Sequence, residues 1–211
     1  FRFYGTSSHA ASAPEQGRSA LDGLEAMNNM LNLMREHVDP ESRIHYVITK
    51  GGEAPNVVPN LAEGYYYVRH PNPEEVRNMW SRLELCAKGA AMGTETEVDY
   101  EVLGGVYNIL PNETLQRLVY KELDLVGGVY YDQKEREYAE KIKETLQNQT
   151  PLIESEKVTP FTINLSTKGG GSTDVGDVSW AVPTAGFSTA TYVPGTPGHS
   201  WQAASCTGTS I

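Results

Sequence analysis

Two histidines stand near opposite ends of the chain, each in a segment whose composition suits chemistry. His9 lies in Gly5-Thr6-Ser7-Ser8-His9-Ala10-Ala11-Ser12-Ala13-Pro14, and His199 in Pro194-Gly195-Thr196-Pro197-Gly198-His199-Ser200-Trp201. A histidine on a rigid turn before a helix can donate a hydrogen bond to an oxygen that gains charge in a transition state. An exposed loop histidine, or a contact at a helix start, is the structural alternative for His9, and both readings stand. His199 is of a metal-ligating type, but zinc draws about three or four ligands from His, Asp, Glu or Cys, so one histidine makes no site. A third feature is Lys168-Gly169-Gly170-Gly171-Ser172-Thr173-Asp174-Val175-Gly176-Asp177. Its glycines allow close backbone approach to a ligand, and Ser172, Thr173 and Asp174 add donors and acceptors. It lacks the Gly-Lys-Ser/Thr ending of a phosphate loop and the glycine spacing of a dinucleotide fold. A linker is the alternative, although Val175 and Val178 suit a packed turn. Nothing between the two histidines completes a hydrolytic site, so the chain reads as part of one.

The elements that must hold these residues follow from periodicity. Phe1 to Tyr4 is strand-like. Pro14-Glu15-Gln16-Gly17 opens a helix whose Ala20, Leu24, Met27, Leu31, Met34 and Val38 share one face, and Asp39-Pro40 ends it. Ile44, Tyr46 and Ile48 mark a second strand, and a third runs from about Ala62 to Arg69. Asn72-Pro73-Glu74-Glu75 predicts a helix start with a capping box, followed by an apolar face of Val76, Met79 or Trp80, Leu83, Ala87 and Ala90. In a fourth strand Thr96, Val98, Tyr100 and Val102 alternate with Glu95, Glu97, Asp99 and Glu101. The acidic row reads as a solvated sheet face rather than a cation site, because metal ligands converge from several elements. Strand, helix, strand, strand, helix, strand is the order of a ferredoxin-like α+β sandwich, with two helices on one face of a four-stranded antiparallel sheet. It accounts for residues 1–108. Beyond it, residues 109–211 hold a helix capped by Asn112 and carrying Leu115, Leu118 and Val119. Another opens at Asp132 with Tyr138, Ile142 and Leu146, a strand is expected over Phe161 to Leu165, and the tail is loop-rich.

Of the 211 residues, 39% are hydrophobic, which suits a globular chain. The net charge of -10 argues against a nucleic-acid partner, and no apolar run reaches the roughly 20 residues of a membrane span. Cys86 and Cys206 match no metal spacing and read as free thiols of a reducing, cytoplasmic compartment. The chain begins at Phe1, inside a strand and without Met, and is expected to be a segment of a longer protein.

Four segments in order carry a resemblance that no single one would. They are Gly5 to Ala11 with Pro14 and Gly17-Arg18-Ser19-Ala20-Leu21-Asp22; Gly51-Gly52-Glu53-Ala54-Pro55-Asn56-Val57-Val58-Pro59; Gly170 to Ser179; and Gly198-His199-Ser200-Trp201. Together they resemble the metal-dependent aminoacylase and carboxypeptidase superfamily. Ser172 to Ser179 with Trp180 and Pro183, and Thr196 to Gln202, are similar to aminobenzoyl-glutamate hydrolases within it. The resemblance implies that residues 1–108 are a lid that pairs with itself into a homodimer. It implies that 109–211 are the carboxyl-terminal part of a catalytic domain. By motif position, His9 resembles the lid histidine that polarises the scissile carbonyl in the partner subunit's site, and Asn56 the lid asparagine that holds substrate. Gly171, Ser172, Thr173 and Asp174 resemble the turn lining the substrate pocket, and His199 the last metal ligand. The implied reaction is metal-dependent cleavage of an acyl- or aroyl-amino acid amide, aminobenzoyl-glutamate to aminobenzoate and glutamate in particular, with two divalent ions, zinc or manganese. The family's remaining ligands and its general base precede the lid and are absent from this sequence. The chain alone is therefore expected to be inactive and to hold no tightly bound metal. An aminoacylase or dipeptidase of the same superfamily, and a stand-alone dimerisation module, are the competing readings.

Overall fold

The computed structural model describes residues 1–162 and 171–208, which divide into two compact units. The first holds residues 1–108 with 171–177, the second residues 109–162 with 178–208.

The first unit is a ferredoxin-like sandwich. Its strands are β1 (Arg2–Tyr4), β2 (Arg43–Lys50), β3 (Leu61–Arg69) and β4 (Glu97–Asp99), in the sheet order β2-β3-β1-β4 with every neighbouring pair antiparallel. Two helices, α1 (Ala20–Met34) and α2 (Pro73–Thr94), cover one face. Phe3 pairs with Ala62 on one side and Val98 on the other. Its ring is buried against a core that includes Leu24, Met27, Leu31, Met79 and Leu83. Gly23 lets α1 lie close to the sheet, since a Cβ there would sit 2.6 Å from the Phe3 ring. Leu24→Ala is expected to destabilise this unit by about 2–5 kcal/mol, through lost burial and a residual cavity. Chemical denaturation checks it.

Several local expectations are corrected. Pro14–Gln16 forms only a 3-10 turn, and α1 starts at Ala20 behind a Ser19 cap. The reason is that Arg18 pairs with Thr6 as an antiparallel bridge, which holds residues 17–18 extended. Regular helix ends at Met34, with a 3-10 turn over Arg35–His37 before Asp39-Pro40. Asn72 caps α2 by accepting from Glu74 N, while the complete capping box belongs to Asp132 and Glu135 at α4 (Gln133–Lys143). β4 spans Glu97–Asp99 rather than reaching Val102, because its partner β1 is itself three residues long. The acidic row carries its own counter-charge: Arg2 reaches Glu63 at 3.0 Å, Glu101 at 3.3 Å and Asp99 at 3.9 Å. The Glu63 carboxyl is held below the ordinary range, first by the Thr49 hydroxyl and then by Arg2.

In the second unit, α3 (Glu113–Val126) is capped by Asn112 and buries none of its residues, Leu118 included. Its buried cluster is small, made of Ile142, Leu146 and Val193 with Tyr138 and Cys206 against it. A 3-10 turn over Leu152–Glu156 and the short helix α6 (Trp201–Thr207) belong to this unit, and α5 (Val175–Ala181) has its first three residues in the first unit and the rest in the second. Most of the strand expected over Phe161 to Leu165 lies outside the described residues, and Phe161 and Thr162 are in neither helix nor strand. No described helix is long and apolar enough to cross a membrane.

Candidate functional site

The loop after β1 returns along the loop before β3, and the two zip together through their backbones. His9 and Val57 form an antiparallel bridge. Ala10 N donates to Asn56 O at 3.0 Å, and Val58 N to Ser8 O at 3.0 Å. His9 and Asn56, far apart in sequence, are thereby brought side by side at the surface, both exposed.

The His9 ring is oriented by its own turn. Nδ1 accepts from Ala11 N at 3.2 Å and Ser12 N at 3.1 Å. An acceptor at Nδ1 assigns the proton of the neutral ring to Nε2. The ring thus serves its turn, as the structural alternative expects, but through one nitrogen only. Nε2–H has no hydrogen-bond partner among the described residues and remains available as a donor.

The glycine-rich turn is exposed and locally organised. Thr173 Oγ1 accepts from Val175 N at 3.3 Å, and Gly176 N donates to Thr173 O at 3.2 Å. Asp177 Oδ1 accepts from Tyr107 N at 2.8 Å, fixing the turn to the segment that leaves the sandwich. Gly176 is required there, because a Cβ would lie 1.9 Å from Tyr107 O. Tyr107 is tied back to α2 by Arg77, whose Nη2 donates to its hydroxyl at 2.8 Å. These anchors escaped the sequence reading. The only signal for them was Gly176 and Asp177 continuing the glycine-rich motif.

His199 lies in the second unit, exposed, with a left-handed φ of 57°. Left-handed backbone is uncommon outside glycine and marks a position worth testing for function. Ser200 caps α6 by accepting from Ala203 N at 3.1 Å. The side-chain type suits a metal ligand, but no set of three ligand atoms forms around it among the described residues. The one such set, with atoms within 4.8 Å of one another, is Asp39, Glu41 and His70. That set is a poor metal site. His70 Nδ1 accepts from Asn72 N at 2.9 Å, so Nε2 carries the proton and faces Asp39 Oδ1 at 3.2 Å. Ligation through Nε2 would need the opposite tautomer and would set Nδ1–H against Asn72 N–H. Asp39 is already satisfied: its carboxyl is held below the ordinary range by the Glu41 N–H first and the His70 ring second.

The comparisons with known proteins agree with the sandwich. Residues 1–93 match the peptidase dimerisation domain of the M20 type. Over its whole length the chain is 35% identical to one of the subunits of the p-aminobenzoyl-glutamate hydrolase of Escherichia coli (strain K12), spanning 49% of that protein. It is 31% identical to the human Xaa-Arg dipeptidase over 86% of this chain and 35% of that protein. The chain thus spans half or less of these curated relatives. A crystal structure of an amidase of the hydantoinase/carbamoylase family from Burkholderia vietnamiensis superposes with a TM-score of 0.52 at 19% identity. It covers 60% of this chain and 31% of that one, and carries the fold alone.

Proposed function

We propose that the chain is part of a metal-dependent amidohydrolase that cleaves an acyl- or aroyl-amino acid amide, with p-aminobenzoyl-glutamate as its substrate. The observation that carries this reading is the 35% identity, along the entire chain, to the p-aminobenzoyl-glutamate hydrolase polypeptide of Escherichia coli. In this reading residues 1–108 are the lid, 109–211 the carboxyl-terminal part of the catalytic domain, and an upstream segment supplies the rest. The enzyme is cytoplasmic, in keeping with the free Cys86 and Cys206. Its lid pairs two copies.

His9 Nε2–H donates to the scissile carbonyl oxygen of substrate in the partner subunit, and gains strength as that oxygen becomes anionic. Asn56, held beside it by the loop pairing, binds substrate through its amide. The Gly171–Asp174 turn approaches the substrate with backbone and short polar side chains. His199 is the candidate metal ligand. Two divalent ions, zinc or manganese, would supply Lewis acidity and lower the pKa of a bound water towards neutrality.

The test is hydrolysis of p-aminobenzoyl-glutamate by the full-length protein, before and after chelation. Cleavage that falls on chelation and returns with metal supports the reading. Preference for an Xaa-Arg dipeptide would instead favour the dipeptidase reading that the human relative suggests. A full-length protein with no bound metal and no hydrolase activity would leave an interaction module. The 211-residue chain alone is expected to be inactive, because a single candidate ligand falls short of the roughly three that a catalytic zinc site takes from protein. Turnover by the purified chain would overturn that. At micromolar concentration the chain is expected to sediment as a two-fold dimer, and a monomer throughout that range would count against lid pairing.

A further inference from the structure

We propose that Gly17 is a positioning residue for His9: its missing side chain sets how closely the loop carrying His9 pairs with the loop carrying Asn56. This rests on the reading of His9 as the carbonyl donor.

Gly17 does not need to be glycine for its torsion angles, since φ -92° and ψ 156° are extended backbone open to any residue. Space is what it needs. A Cβ at Gly17 would stand 2.4 Å from Ser8 Oγ and 2.9 and 3.1 Å from the two methyls of Val58. Ser8 precedes His9, Val58 follows Val57, and Val58 N donates to Ser8 O, so both contacts fall on one rung, the one next to the His9–Val57 bridge.

Gly17 cannot retreat. Its N–H donates to Pro14 O at 3.1 Å. Its carbonyl accepts from Arg18 Nη1 at 2.7 Å, and that side chain also pairs with Glu95. Arg18 in turn exchanges two backbone hydrogen bonds with Thr6, at 2.8 and 2.9 Å. The other side yields more readily. Ser8 Oγ is buried without a hydrogen-bond partner among the described residues and can rotate away, whereas Val58 is branched at Cβ and stiff. An added methyl therefore pushes the Val58 segment off Ser8 and disturbs the His9 turn. That turn is held by Nδ1 hydrogen bonds of 3.1 and 3.2 Å, which have little length to spare.

The test uses Gly17→Ala, with Gly17→Ala/Val58→Ala to restore the room. In the chain itself, nitrogen-15 NMR of the His9 ring reads the Nδ1 hydrogen bonds and the tautomer. Gly17→Ala is expected to shift those signals, and the double variant to return them. In the full-length enzyme Gly17→Ala should lower kcat about ten- to a hundredfold with KM within about threefold. It should add nothing in a His9→Ala background. Unchanged ring signals in folded Gly17→Ala, or an undiminished kcat loss in the His9→Ala background, overturns the proposal. If Gly17→Ala does not fold, the double variant decides: native His9 signals support the spacing role, and disturbed ones refute it. If His9→Ala leaves the rate intact while Gly17→Ala still moves the ring signals, the catalytic reading fails and the spacing role stands.

Discussion

His9→Ala in the full-length enzyme is expected to lower kcat by about 100- to 1000-fold, with KM within about threefold. A donor aimed at a developing oxyanion acts mainly in the transition state, so its loss appears in turnover rather than in ground-state binding. The hydrogen-bond pattern supplies the reason to expect a donor: Nδ1 is taken by Ala11 N and Ser12 N, which leaves the proton on Nε2. The same pattern supplies the rival explanation, because removing the ring also strips two backbone N–H groups of their acceptor, a loss of about 1 kcal/mol in stability for a cap-like contact. His9→Asn separates the two. Its Oδ1 can accept from backbone N–H groups two or three residues on, as asparagine does in turns, but it offers nothing equivalent to Nε2–H. Restored thermal stability with turnover still lost would assign His9 to the chemistry. Turnover within about threefold of wild type in folded, metal-loaded His9→Ala protein would make His9 a structural residue.

His199→Ala is expected to fail by a different route, losing bound metal and activity together, with partial recovery in added zinc or manganese. Losing an outer-shell partner of a metal ligand typically costs about 10- to 100-fold in affinity, and losing the ligand itself should cost more. Elemental analysis of the purified full-length variant gives a reading independent of rate. The left-handed backbone at His199, φ 57°, provides a control. A non-glycine residue in that region is strained by roughly 1–2 kcal/mol, so His199→Gly should relieve strain while still losing metal. A stabilised His199→Gly protein that keeps its full metal content would remove His199 from the ligand set.

What the sequence determined by itself is local. The three- and four-residue spacing of Leu24, Met27, Leu31 and Met34 marked the buried face of α1, and that of Met79, Leu83, Ala87 and Ala90 the buried face of α2, because a helix repeats its face within one turn. Asn112 and Asp132 announced helix starts for the same short-range reason. The order of elements then restricted the sandwich to few topologies. Glycines in the His9 and Gly176 motifs were visible as types, and their purposes were not.

Tertiary structure decided the rest, wherever a residue's state depends on a partner remote in the chain. β4 ends at Asp99, where its pairing with Arg2 ends, and Arg2 gives Asp99 and Glu101 of the acidic row a counter-charge from a strand remote in sequence. Arg18, predicted helical, is extended because Thr6 claims both of its backbone groups. The pairing of His9 with Val57, which sets Asn56 beside it, came from loop-to-loop hydrogen bonds that have no period to read. Side-chain periodicity encodes which face is buried, whereas hydrogen bonds between loops depend on shape, and shape exists only once the sandwich has closed.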